Sequence, residues 1–407
     1  MVDNILENKK ILILVTGSIA IYKTLDLISK LKKLNAKTAV VMSDEAISFI
    51  TPLTFESLSN KEVLHKNSQK YDTQDSPNHI NYASWADIAI LAPASINSIA
   101  KLNYAISDSI VITTLLACKC KVLIAPSANI NMMESKQNKQ NLESLIKMGY
   151  KILPPRESLL ACNVVAKGAM ADIDEIIFNI KKEFKTDNFW EDKKIVITGG
   201  GSIEQIDTIR HISNNSSGIQ ASALALAFYY LGAKVNLISS RFPFILPLDI
   251  EITKVNSSND YKNALQDTKD CIVIMAAAIS DYKVENPKNE KIKKSDIGKI
   301  WNLELVQNQD LLSQIQCKFK VGFKAESHKT NGEINAKKML DSTTEGGKDC
   351  DMVILNIIDN DNKIGDTHNE ITILSKDYKK KLDKQDKLTL SFEIAASIKE
   401  KLQKYDK

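Results

Sequence analysis

Two segments of this chain begin alike, and that constrains the fold more than any other feature. Residues 10–17 read KILILVTG and residues 194–201 read KIVITGGG. Each is a run of Ile, Leu and Val ending at Thr-Gly, the pattern of a strand buried on both faces that feeds a tight turn. Each is followed by a helical stretch and a second apolar run, AKTAVVMS at 36–43 and AKVNLISS at 233–240. Strand, glycine turn, helix and strand form a βαβ unit, so each half is expected to open a parallel sheet with helices on both faces. The fold class that follows is α/β, two doubly wound domains in tandem.

Further strands are expected at 88–92 and 121–125, ending at Pro93 and Pro126, and at 272–276, 320–323 and 352–355. A chain of 407 residues is too long for one ordinary core. The joint is placed near TDNFWEDK, giving domains 1–183 and 193–407 with a linker at 184–192. A net charge of +4 argues against a dedicated nucleic-acid binder. The longest apolar stretch, 110–126, is interrupted by Lys119 and Lys121, short of what a membrane helix needs. Residues 1–10 are polar with both signs of charge, unlike a secretory signal, so a cytoplasmic enzyme is the expectation. Six cysteines without CxxC spacing indicate neither a disulfide framework nor a metal site, and Cys118 and Cys120 are only two apart. The Lys-rich tail from residue 376 is expected to end in a helix at 391–405 with its charges on a solvated face.

In parallel sheets ligands sit beyond the carboxyl ends of strands. In the first half those positions are Thr16-Gly17-Ser18, then Ser43, then Pro93-Ala94-Ser95 with Asn97. A polar turn opening a helix suits a phosphate, but with one glycine it lacks the GxGxxG dinucleotide fingerprint, which counts against a tandem NAD-dependent reductase. Three side chains are candidates for chemistry: His79 before the run INYASWAD, Asn129 in PSANINM, and Cys162 in LLAC.

The order of the TGSIA turn, the HI…WAD segment, the APAS loop, the PxxNxxM loop and the late LAC segment resembles the flavin-dependent cysteine decarboxylases. More specifically it resembles the bifunctional phosphopantothenoylcysteine decarboxylase/phosphopantothenate–cysteine ligase family of coenzyme A biosynthesis, across nearly the whole chain. The resemblance implies a flavodoxin-like, FMN-binding first domain, in which FMN accepts electrons from the substrate thiol so that CO2 can leave. It implies that His79 is the acid/base, that Asn129 grips the substrate carboxylate, and that Cys162 on a flap donates a proton. It assigns Thr16, Gly17, Ser18, Ser43, Pro93, Ala94, Ser95 and Asn97 to FMN. The chain departs from the family at the flap, where Asn163, Ala166 and Ala169 replace Gly, Gly and Arg. It also departs at AISDS (105–109) for GxADD and at Ala128 for Met. The altered flap is what supports the alternative reading, a ligase fused to a non-catalytic FMN-binding domain.

The second half continues the resemblance. Arg210-His-Ile-Ser-Asn214-Asn-Ser-Ser-Gly218 matches the family's RxISNxSSG element, and Lys291-Ile-Lys-Lys matches KxKK. These carry over Arg210 and Asn214 to the acyl phosphate and Lys291 to the triphosphate. The turn Asn308-Gln309-Asp310-Leu311 stands for the family's NPD turn, with Gln309 for proline, and VGFKAE holds Phe323. Gly199, Gly200, Ala277, Asp281, Asn308, Asp310, Leu311 and Phe323 are thereby expected at CTP. Two further nucleotide lysines are sought in Lys338 and Lys348, with Lys348 preferred because residues 342–347 look inserted between them. The implied reaction joins 4′-phosphopantothenate to cysteine through an acyl-cytidylate, with Mg2+ on CTP and no protein metal site. The product, phosphopantothenoylcysteine, is then decarboxylated. A homo-oligomer is implied, trimeric through the flavin domains and dimeric through the ligase domains, with no nucleic-acid or membrane partner.

Overall fold

The computed structural model describes residues 4–73, 76–159 and 165–405. It divides into two compact units, Asp3–Phe184 and Lys185–Lys407.

The first unit holds a five-stranded parallel sheet: β1 Lys10–Val15, β2 Lys37–Met42, β3 Ile88–Ala94, β4 Lys121–Pro126 and β5 Lys151–Ile152, in the order β2-β1-β3-β4-β5. This 2-1-3-4-5 order is the flavodoxin-like arrangement, and the chain changes direction across the sheet between β1 and β3. β1 and β3 are buried almost end to end because helices cover both faces, which is why they read as unbroken apolar runs. Leu12, Leu14, Leu91 and Ile124 are fully buried in one core, each adding about 1.5–3 kcal/mol of apolar burial. An antiparallel hairpin, β6 Arg156–Leu159 with β7 Val165–Ala169, follows the sheet.

In the second unit the strands are, in chain order, β8 Lys194–Gly199, β9 Ile203–Gln205, β10 His211–Ser213, β11 Lys234–Ser239, β12 Glu251–Lys254, β13 Ile272–Met275, β14 Tyr282–Val284, β15 Leu305–Gln307, β16 Phe319–Glu326, β17 Met352–Ile357, β18 His368–Ser375 and β19 Tyr378–Asp386. Eight of them form one sheet, β12-β11-β8-β13-β16-β17-β18-β19, while β9–β10 and β14–β15 are separate short antiparallel ribbons. The first six strands are parallel, and β18 and β19 continue antiparallel. The tandem doubly wound expectation therefore holds, with an antiparallel extension.

That extension corrects the reading of the tail. The run YKKKLDKQD is strand β19, and its lysines lie mostly outward while Leu382 and Asp386 are buried. The closing helix starts four residues earlier than expected, Lys387–Tyr405. Strand alternation was hidden because lysine occupies the outer face of an edge strand, which also discourages edge-to-edge pairing.

Candidate active sites

The carboxyl ends of β1, β3 and β4 open into a cleft of about 700 Å3. Gly17 and Ser18 enter it from the first turn, Ser95 and Asn97 from the second, and Asn129 from the third. Thr16 ties the first two turns together: its Oγ1 donates to the Pro93 carbonyl at 2.7 Å and accepts from the Ser95 amide at 2.9 Å. Thr16, Ser43, Pro93 and Ala94 stay behind the lining, and Ser43 caps the helix Asp44–Ile47 through the Ala46 amide. Gly17 must be glycine because a Cβ there would lie 2.6 Å from the Glu45 Cβ.

The hairpin closes another wall of the cleft with Arg156, Ser158, Gly168, Ala169 and Met170. It is pinned to the Asn129 loop where the Ala128 amide donates to the Gly168 carbonyl at 3.0 Å. Cys162 and Asn163 lie outside the described residues. His79 is not part of the lining. It starts the helix His79–Trp85, half-buried, with its Nδ1 3.3 Å from both the Tyr71 hydroxyl and Gln69 Oε1.

Two cations in this cleft escaped the sequence reading, Lys23 and Arg156. Arg156 Nε lies 3.1 Å from Asp172. Burial, then the Arg156 charge, push the Lys23 ammonium below its ordinary pKa, with Asp172 opposing. Lys23 sits two residues inside the helix Ile21–Lys33 that follows the TGSIA turn, so its proximity to the turn was a usable signal.

The second cleft, about 630 Å3, lies beyond β13 and β16. Ala277, Asp281, Asn308, Asp310, Leu311, Phe323 and Lys348 all line it. Lys348 Nζ meets Asp310 Oδ2 at 3.1 Å, whereas Lys338 is exposed at the end of the helix Lys329–Lys338 and stays outside. The inserted residues loop out and return, since the Asp349 amide donates to the Asp341 carbonyl at 3.2 Å. That closure brings Lys348 to the cavity.

Gly199 and Gly200 are not in the lining. A Cβ on Gly199 would collide with Ala221 Cβ, and one on Gly200, with φ +76°, would collide with Ser240 Oγ. Both are glycine because strand, helix and the next loop converge there. Arg210, Asn214 and Lys291 do not line the cavity. Arg210 packs 5.1 Å above Trp301, and the Asn214 amide donates to the Ile279 carbonyl at 3.2 Å. Lys324, Lys363 and Lys387 line the cavity and were missed, although Lys324 stands next to Phe323 in VGFKAE.

The chain matches the flavoprotein family model over residues 2–185 and the DNA/pantothenate metabolism flavoprotein C-terminal domain model over residues 190–402. It is 37% identical to the coenzyme A biosynthesis bifunctional protein CoaBC of Bacillus subtilis, covering 97% of both chains. It is 32% identical to that of Haemophilus influenzae, covering 98% of this chain and 99% of the other. With that of Borreliella burgdorferi it shares 33% identity over 95% and 98%.

This chain belongs to the bifunctional coenzyme A biosynthesis protein family. It is an enzyme of coenzyme A biosynthesis that carries a decarboxylase and a ligase activity, and its first half is a flavoprotein domain. The first cleft fits a flavin: its volume is in the range of cofactor pockets, about 300–1,000 Å3, and Gly17 leaves the strand end open where a side chain would collide. No helix among the described residues is long and apolar enough to cross a membrane. No group of three or more His, Cys, Asp or Glu among them is placed to hold a metal ion.

Proposed function

We propose that residues 193–407 join 4′-phosphopantothenate to cysteine at the expense of CTP, and that residues 1–183 decarboxylate the product, 4′-phosphopantothenoylcysteine, to 4′-phosphopantetheine. Residues 184–192 link the two.

The observation that carries the ligase reading is the charge of the second cavity. Four lysines, Lys324, Lys348, Lys363 and Lys387, line it against two carboxylates, Asp281 and Asp310, as polyanionic substrates require. The small side chains of Ala276, Ala277 and Ala278 at the end of β13 let a nucleotide approach the backbone, and Phe323 offers a ring for the base. Lys291 and Lys348 neutralise the triphosphate as pyrophosphate leaves the acyl-cytidylate. Arg210 and Asn214 hold the acyl phosphate oxygens while the cysteine amine displaces CMP. Mg2+ enters with CTP.

In the first domain FMN, when bound, supplies reversible two-electron oxidation at the substrate thiol. Gly17, Ser18, Ser95 and Asn97 would hold it at the strand ends. Asn129 orients the substrate carboxylate, His79 exchanges a proton at the reacting centre, and Cys162 returns a proton after CO2 departs.

His79 does not line the cleft of its own chain, and exposed Ile19, Tyr22 and Met132 do. A homo-oligomer in which a second copy covers these side chains and delivers His79 completes the constellation.

One assay tests the whole reading: 4′-phosphopantothenate, cysteine, CTP and Mg2+ with purified protein, following pyrophosphate, CMP and CO2 together. Stoichiometric release of all three is expected. Pyrophosphate and CMP without CO2 would reject the decarboxylase, and no pyrophosphate would reject the ligase.

A further inference from the structure

Two thiols that neither cleft uses lie at the other end of the first sheet. The first cleft opens at the carboxyl ends of its strands, whereas Cys118 and Cys120 come just before Lys121, where β4 begins. Cys118 is the C-cap of the helix Ile110–Ala117, its amide donating to the Leu115 carbonyl at 3.1 Å. Lys121, the residue after Cys120, pairs with Ile88 of the central strand β3. The segment Cys118-Lys119-Cys120 is thus fastened to a helix on one side and to the sheet on the other. Both cysteines pack against the same apolar core. Both are half-buried among exposed Ala117, Lys119 and Lys121, so small solutes reach them.

The two thiols hydrogen-bond to each other. A thiol has one proton, and that of Cys118 has two acceptors: the Thr114 carbonyl, 3.3 Å from its Sγ, and the Cys120 sulfur. With Cys118 as donor, the Cys120 thiol is held below its ordinary pKa, against the opposing effects of burial and the Asp87 charge. The same bond, then burial, push Cys118 upward. One sulfur is the readier thiolate while its neighbour keeps its proton, which is how an attacking and a resolving thiol divide their work. The cysteines of the second unit differ. Burial pushes Cys271 up, Cys317 up to about 11 and Cys350 up to about 12, which leaves them unreactive thiols.

We propose that Cys118 and Cys120 form a redox site that hydrogen peroxide converts to an intrachain disulfide. The Cys120 thiolate attacks one peroxide oxygen, the O–O bond breaks, and hydroxide leaves, so that Cys120 becomes a sulfenic acid. The Cys118 sulfur then attacks the Cys120 sulfur; the S–O bond breaks, and the sulfenic hydroxyl leaves as water with the Cys118 proton. Two electrons pass from sulfur to peroxide. Both peroxide oxygens end as water once the hydroxide takes up the proton that Cys120 lost on ionising. A ring closed over one intervening residue is strained, so a dithiol reductant reopens it.

The test uses the full-length protein. Wild type is exposed to a few equivalents of hydrogen peroxide, its remaining thiols are alkylated under denaturing conditions, and it is digested with trypsin, which cuts after Lys119 and Lys121. The disulfide should hold the peptide 102–119 to the dipeptide Cys120-Lys121, and dithiothreitol should part them. Cys271, Cys317 and Cys350 should remain alkylatable. In Cys118→Ser, a sulfenic acid on Cys120 should accumulate and be trapped by dimedone. In Cys120→Ser, Cys118 should oxidise about tenfold or more slowly than Cys120 does in wild type, because the thiolate is the nucleophile. Wild type in which Cys118 and Cys120 stay alkylatable while Cys271 or Cys317 is oxidised would overturn the site. So would a disulfide joining either of them to Cys162 instead of to each other. Equal oxidation rates in the two variants would overturn the assigned roles. The wild-type digest needs no substitution, so it decides the matter even if a variant fails to fold.

Discussion

Asp207 and Arg210 are joined twice: the Arg210 amide donates to Asp207 Oδ1 at 2.7 Å, and guanidinium Nη1 donates to Oδ2 at 3.1 Å. The same carboxylate accepts from the Ile209 amide at 2.8 Å and from the Ile292 amide at 3.2 Å. Arg210 Nη2 donates back to the Ile292 carbonyl at 3.4 Å. One buried acid thus fastens the arginine loop to the segment that carries Lys291.

Asp207→Asn should therefore slow ligation by up to about a hundredfold, since small misplacements of charged groups are costly to rate. Decarboxylation of supplied phosphopantothenoylcysteine should be unaffected. Burial would raise the Asp207 pKa, but its three backbone donors and Arg210 outweigh that and hold the carboxyl below its ordinary value. Its stabilisation is then present above the unfolded value of about 3.9 and lost as pH falls through the folded one. Acid melts of wild type and Asp207→Asn should converge at low pH; parallel melts would contradict this.

Lys291→Gln should abolish acyl-cytidylate formation, measured as pyrophosphate released from radiolabelled CTP. Asn214→Asp should leave activation intact but let the intermediate accumulate, because the amide proposed to hold the acyl phosphate is replaced by a like charge. Rapid ligation without accumulation would refute that role.

Lys348→Ala should raise KM for CTP by about tenfold or more, the loss of one charge-assisted contact, whereas Lys338→Ala should change it little. The reverse order would mean that the inserted loop rearranges when nucleotide binds.

Gly17→Val should purify with little flavin and fail to release CO2, since a Cβ already collides with Glu45. Ligase turnover should stay at the wild-type rate. Full flavin absorbance at 450 nm, the region where oxidised flavins absorb, would show that the strand end can give way.

Mixing two inactive proteins, His79→Asn and Asn129→Ala, should restore part of the CO2 release once subunits exchange. Each mixed assembly would hold some clefts with Asn129 from one copy and His79 from another. No recovery in verified mixed oligomers would mean that both residues serve one chain.

The sheets were legible because strands such as β1 and β8 are buried on both faces, so nearly every position must be apolar. Asn129 and Phe323 were legible because motif order places them at strand ends. Lys23, Arg156, Lys324, Lys363 and Lys387 were not, since a lysine or arginine on a surface and one in a cavity look alike along the chain. The glycines of the second turn misled for a related reason: Gly199 and Gly200 answer to close packing by Ala221 and Ser240.

By itself, the order of apolar runs and Thr-Gly turns determined two doubly wound domains, because hydrophobic periodicity is a local property of the chain, and the resemblance of its motifs to a known family implied the chemistry. Tertiary structure alone decided which cations face a cavity, that Lys348 rather than Lys338 reaches the second cavity, and that His79 is not in the lining that holds Asn129. Those outcomes depend on loops distant in sequence meeting in space, where burial and unpaired charge are set by neighbours that no segment carries within itself.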